Sequence, residues 1–302
     1  SRQVALGADN YEMERRVYER LASEMVVGTA GCLQITRDAR TGNVVFVMED
    51  LSVLPGAYSI DQWRPGGCSA DEALAVARAL GGLHAQYWQW SGALPAWLPR
   101  TDQIEARDAV GLAASCGDAF RSSYHYEVLG QHAREAVELA LARARDLELA
   151  LRAGPQTLLH HDARADNLFW GKAGVPAGVV FLDWQMVGQG VGALDLAWFS
   201  ASSFLEPGEP LRWEENRRLC VAYWRSLVEG GVDAVRYPLE AAWRDYTLGF
   251  LWGFLVVTQL TKFGEPSEVV KAFCARVTHA MVELDAHKVP CQRLVGEPGV
   301  DA

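Results

Sequence analysis

The sequence predicts an α+β protein in which a small N-terminal part containing strands precedes a large, mainly helical part with an embedded β-hairpin. Three observations predict it. Close to the start, a stretch with helical periodicity is followed by two β-branched runs joined by a turn. From Ser69 onward, apolar residues recur at helical spacing. Between about 157 and 182, three short β-rich runs interrupt the helices. No GxGxxG or P-loop follows any strand, which excludes a doubly wound nucleotide-binding sheet.

In order, Tyr11, Glu14, Tyr18 and Leu21 share one face of a helix expected over 10–23. Gly31 to Thr36 is extended, and the turn Ala39-Arg40-Thr41-Gly42-Asn43 leads into Val44-Val45-Phe46-Val47-Met48, a hairpin. Glu49-Asp50-Leu51 follows directly. A loop with Pro55-Gly56 and Pro65-Gly66-Gly67 separates the small part, residues 1–54, from the larger part, 55–302. Ser69 and Glu72 form a capping box, and Ala73, Val76, Ala77, Leu80, Leu83, His84 and Tyr87 form an apolar stripe. Further helices are expected over 103–126 and 130–152, the second stopped by Gly154-Pro155. Strands are expected over 157–160, 167–170 and 179–182, the last two joined by Gly171-Lys172-Ala173-Gly174. Beyond Asp183 only loop and helix are expected. Thr247 to Leu260 is apolar but short and glycine-containing, which favours a buried helix over a membrane span.

Composition excludes several classes. With 50% hydrophobic and 22% charged residues over 302 positions, the chain has material for a sizeable core. A net charge of −10 argues against a nucleic-acid partner, because phosphate neutralisation needs clustered Lys and Arg. Six scattered cysteines without a CxxC pair point to reduced thiols and a cytoplasmic protein. No signal-peptide pattern opens the chain. Nothing in the sequence sets an oligomeric state.

The chemistry-bearing segment is His160-His161-Asp162-Ala163-Arg164-Ala165-Asp166-Asn167, followed after the hairpin turn by Leu182-Asp183-Trp184-Gln185. An acid and an amide five residues apart share one loop, and a second acid ends a neighbouring strand. Phosphoryl transfer needs such parts: a carboxylate to take the acceptor's hydroxyl proton, and hard oxygen ligands to hold Mg2+ against the phosphates of ATP.

His160-x-Asp162-x4-Asn167 with Asp183-Trp184-Gln185 resembles the catalytic and metal-binding motifs of the aminoglycoside phosphotransferase, choline kinase and ecdysteroid-kinase-like group. Gly188-x-Gly190-x-Gly192-x-x-Asp195-Leu196-Ala197 is similar to a later segment of that group, whose Asp braces the catalytic loop. Gly81-Gly82-Leu83-His84-Ala85-Gln86-Tyr87-Trp88 resembles a segment of the ecdysteroid-kinase-like branch. The resemblance spans most of residues 11–200. It implies a protein-kinase-like bilobal fold, with a partly missing N-lobe, and ATP-dependent phosphorylation of a small hydroxylated molecule. Asp162 is then the catalytic base, Asn167 and Asp183 the metal ligands, and Arg164 and His160 further active-site residues. Glu14 matches the helix glutamate of the nucleotide lobe, and Glu49 and Leu51 match the hinge that binds adenine.

Two departures stand out. His161 replaces the usual glycine and is expected to add bulk near the site. The family's glycine-rich loop and ATP-binding lysine have no counterpart, since no lysine precedes Lys172. An upstream segment would supply them; otherwise the chain is a catalytically inactive nucleotide- or ligand-binding module. The same residues are open to different chemistry. His160, His161 and Asp162 have donors suited to zinc or iron. Arg164 reaches either the γ-phosphate or Asp166. His84 reads as a satisfied core histidine, and Trp88, Trp198, Trp224 and Trp243 as core rather than as a cage for a cation.

Overall fold

The computed structural model describes residues 8–38, 40–41, 43–60, 68–89, 95–174, 178–204, 213–263 and 268–291. Helix α1 (Ala8–Arg20) buries Val17 and leaves Tyr11 outside, while Arg15 and Arg16 pair with Glu12 one turn away. After β1 (Gly28–Thr29), strands β2 (Cys32–Arg37) and β3 (Val44–Met48) form the expected antiparallel hairpin, with Ile35 opposite Phe46. Ala39 and Gly42 of its turn lie outside the described residues, as do Pro65, Gly66 and Gly67. The Tyr18 ring stands 6.1 Å from Phe46 and docks α1 on the hairpin. Asp50 caps a 3-10 turn at Leu51–Val53 by accepting the Ser52 N–H, and β4 (Tyr58–Ser59) follows.

Helix α2 (Ala70–Gln86) starts with the Ser69–Glu72 capping box and buries the expected stripe. The continuous helix expected over 103–126 is not formed. Two 3-10 turns (Thr101–Gln103, Glu105–Arg107) precede α3 (Ala109–Arg121), because Asp108 caps Val110 and starts the helix there; α4 is one turn, Tyr124–Glu127. The helix expected over 130–152 is two, α5 (Gln131–Ala142) and α6 (Ala144–Ala153). They break at Arg143, whose guanidinium bonds the carbonyls of His287 and Val289.

The β-rich region contains β5 (Gln156–Leu159), β6 (Leu168–Trp170) and β7 (Val179–Phe181) close to the expected places. A further strand, β8 (Gly188–Val191), lies where only loop and helix were expected, and it pairs antiparallel with β5. Its glycines have low strand propensity but permit a close approach. A Cβ on Gly190 would come within 2.3 Å of Thr101 Oγ1. The hairpin β6–β7 is the centre of a four-stranded sheet ordered β1-β7-β6-β4, so the small N-terminal part and the loop after it are knitted to the β-hairpin. The remainder is α7 (Ala193–Phe199), a π-helical turn (Ser200–Phe204), α8 (Trp213–Glu229), α9 (Leu239–Thr258) and α10 (Glu268–Glu283). Helix α9 is buried on nearly every side, as its apolar run predicts. Among the described residues no helix is long and apolar enough to cross a membrane. All six cysteines are free thiols, five of them buried.

Candidate active site

The loop from His160 to Asn167 joins β5 to β6, and one buried carboxylate fixes its entry. Asp195 in α7 accepts the His160 N–H through Oδ2 at 2.7 Å and the His161 N–H through Oδ1 at 2.8 Å. Its Oδ2 also lies 3.3 Å from His84 Nε2, and His84 Nδ1 is 3.0 Å from the Tyr223 hydroxyl. Burial alone would push the Asp195 carboxyl up, but the hydrogen bond from His84 holds it below its usual range. Asp195 therefore braces the loop, as the resemblance implied. His84 is the expected satisfied core histidine, and it extends the brace to α8.

His161 does not crowd the site. Its φ of +61° is the left-handed conformation that favours glycine, which explains the usual residue there. The side chain turns into the protein, donating from Nδ1 to the Met186 carbonyl at 3.1 Å and lying 2.8 Å from Thr101 Oγ1 through Nε2. Gly188 makes the space: a Cβ there would stand 2.9 Å from His161 Cε1. Burial pushes the imidazole down to about 4, so it is neutral, and Thr101 donates to Nε2. His160 is equally committed, donating from Nε2 to the Leu182 carbonyl at 2.8 Å and accepting the Asp162 N–H at Nδ1. With these ring nitrogens engaged inside the fold, the His-His-Asp metal reading fails.

Asp162 is nearly buried and held from several directions. Asn167 Nδ2 donates to the Asp162 carbonyl at 2.9 Å and to its Oδ2 at 3.2 Å. Trp198 Nε1 donates to Oδ1 at 3.2 Å, and Arg164 Nε lies 3.1 Å from that oxygen. Arg164 also stands 3.5 Å from Asp166. Burial opposes its charge, but Asp162, Asp166 and Asp183 together raise its basicity. Two contributors escaped the sequence reading. Trp198 was assigned to the core alone, yet its indole N–H reaches Asp162. Arg107 is buried, donates twice to the His161 carbonyl at 3.2 and 3.1 Å, and stacks on Trp198 and Trp252 at 5.4 and 6.0 Å. No motif surrounds Arg107, and its inward direction follows from the 3-10 turn that was read as helix.

Asp183 also has a left-handed backbone, with φ of +61°. Burial and the neighbouring Asp162 carboxylate push its carboxyl above the usual range. Glu14 meets this turn from α1, accepting the Trp184 N–H, and is pushed up to about 7 by burial and by Asp183. Glu14, Asp183, Glu49 and Leu51 line one cavity of about 360 Å³ with Phe46 and Met48. Glu49 is pinned there by Lys172 Nζ at 2.9 Å and by the Gly31 N–H at 3.0 Å. Asp162 and Arg164 line a second cavity of about 400 Å³.

Residues 2–229 match the model of the phosphotransferase enzyme family, APH. No protein of curated function matches the sequence. Among solved structures, a microcompartment-associated aminopropanol kinase is similar at 14% identity and a TM-score of 0.56, over 97% of this chain and 86% of that one. A choline kinase from Streptococcus pneumoniae is similar at 12% identity and a TM-score of 0.52, over 93% and 81%. A choline/ethanolamine kinase family protein from Mesorhizobium loti is similar at 16% identity and a TM-score of 0.51, over 93% and 84%. At such identities these likenesses are of fold, the kinase-like bilobal one. The family model covers three quarters of the sequence and includes the whole loop from His160 to Asn167, so the chain belongs to the phosphotransferase enzyme family.

Proposed function

We propose that this phosphotransferase moves the γ-phosphoryl group of ATP to a hydroxyl of a small molecule, with Asp162 as base. Membership of the family makes the chain an ATP-using kinase of small molecules; the residue roles are our reading. The observation that carries it is that two carboxylates close enough to press on each other's charge line two different cavities. Asp183 lines the one that holds Glu14, Glu49 and Leu51, and Asp162 lines the other. Residues 1–54 would form the nucleotide lobe, with adenine against Glu49 and Leu51, and residues 55–302 the catalytic lobe. The acceptor oxygen forms a bond to the γ-phosphorus as the bond from phosphorus to the β–γ bridging oxygen breaks, and the hydroxyl proton passes to Asp162. Trp198 and Asn167 hold that carboxylate in one orientation, which is where positioning lowers the barrier.

Asn167 and Asp183 fit a magnesium ion. Both offer hard oxygen donors, and the raised Asp183 carboxyl beside Asp162 is a like-charge arrangement that a cation relieves. Asn167 spends its amide nitrogen on Asp162, which leaves Oδ1 for the metal. Bound there, magnesium would neutralise the transferring phosphates. Arg164 faces the same charge, and His160 shapes the loop without touching substrate.

Asp162→Asn is the direct test. It should cut turnover by at least about 10²–10⁴-fold while the Kd for ATP changes little. Phosphate transfer at the unaltered rate would remove Asp162 from the role. A chain that binds Mg·ATP yet phosphorylates no hydroxylated compound would instead support the inactive module.

A further inference from the structure

We propose that the acceptor for which this cavity is built has a largely apolar body and carries no cationic group. The inference rests on the phosphotransfer reading and deepens it. Apart from Asp162, the charged side chains among the described residues lining that cavity are two arginines, Arg107 and Arg164. The rest of the described wall is mostly apolar: Met186 from the turn after Asp183, Val256 and Val257 at the end of α9, Leu260 in the 3-10 turn after it, and Phe273 of α10. Burying an ammonium group requires a carboxylate or an open aromatic face. Among the described lining residues the one carboxylate is committed and two of the three aromatic rings are engaged; Tyr11, 44% exposed, is the third. Asp162 already faces Arg164 Nε at 3.1 Å and the Trp198 indole N–H at 3.2 Å, and it must also meet the acceptor hydroxyl. The Trp198 ring carries the Arg107 guanidinium at 5.4 Å, so the protein's own cation occupies that aromatic face. Phe273 is engaged with Trp198 in a T-shaped pair, at 5.2 Å and 89°. A cationic acceptor would enter beside two fixed positive charges and one committed negative one.

A neutral or anionic alcohol meets no such opposition and gains from the apolar wall. Choline and aminopropanol, which name two structurally similar kinases, are both cations. The adjoining cavity of about 440 Å³ shares Asn10, Ala106, Gln185 and Met186, and adds one acid, Glu105, as a competing seat for a cation.

Three matched probes test this: 4-methylbenzyl alcohol, 4-(hydroxymethyl)benzoate and 4-(hydroxymethyl)benzylammonium. Titrated into the protein with Mg·ADP present, the neutral and anionic probes should bind at least about tenfold more tightly than the ammonium probe. Leu260→Glu, which puts a carboxylate on the wall, should narrow or reverse that gap, with unfolding midpoints checking that the variant folds. Equal or tighter binding of the ammonium probe to the wild type overturns the proposal, and its loss in Glu105→Gln would locate the reason. Failure of all three probes to bind at about 10 mM overturns it as well. If Mg·ATP itself does not bind, the phosphotransfer reading fails; if it binds and the ammonium probe is preferred, the acceptor inference alone fails.

Discussion

A histidine at φ of +61° must put its side chain somewhere, and His161 puts it beneath the loop rather than in the site. That placement gives the protein an acid sensitivity that glycine would not. The imidazole is fully buried and pushed down to about 4, against about 6.5 when unfolded. Its folded value lies below its unfolded one, so the unfolded chain binds the proton first. The contribution to stability is complete above about pH 6.5 and declines as pH falls towards 4. By pH 5 the loss should be about 2 kcal/mol, read as a fall in the urea midpoint. His161→Asn keeps a residue tolerant of the left-handed region and should flatten this part of the profile. An unaltered acid profile in that variant would mean that other groups carry the transition.

Between elements, the fit of α2 against α8 separates two adjacent glycines. A Cβ on Gly81 would stand 2.6 Å from the Tyr223 carbonyl oxygen and 2.7 Å from Ser226 Cβ, whereas one on Gly82 meets only Val26 Cγ2 at 3.7 Å. Gly81→Ala should therefore destabilise the protein by about 1–3 kcal/mol through overpacking. Gly82→Ala should stabilise it by about 0.5–1 kcal/mol, because the helix gains propensity without a clash. Thermal unfolding of both variants checks the pair, and similar shifts would contradict this packing. The sequence made α2, the β2–β3 hairpin and the catalytic loop legible, because capping, alternation and motif spacing are local. It hid β8, whose glycines are explained by neighbours distant in sequence. It also hid the break at Arg143, which depends on carbonyls beyond residue 286. Asp162, Asn167 and Asp183 are proposed from chemistry and spacing, whereas Arg107 carries no such signal, since its orientation comes from a turn that resembles helix.

Across the whole molecule, α1 and the β-hairpin meet at the Asp183 turn, where Glu14 accepts the Trp184 N–H. A ligand in the adjacent cavity bridges both parts and should stabilise them together. Mg·ATP at about 100 times its Kd should add about 2.7 kcal/mol to unfolding. In Asp183→Ala the metal-dependent share of that gain should vanish, and an equal magnesium-dependent rise in Tm would argue against the assigned ligand. The brace on the catalytic loop lies elsewhere. Asp195 hangs from His84 and, through it, from Tyr223, so α2, α7 and α8 form a tripod behind the chemistry. One part of the wall of the proposed acceptor cavity comes from the far end of α9, the turn after it and α10. The anvil and this part of the mould are thus separate castings. Residues such as Val256 and Leu260 can be recut for a new acceptor while the anvil stays still, a division of labour by which one phosphotransfer machine can be fitted to many alcohols.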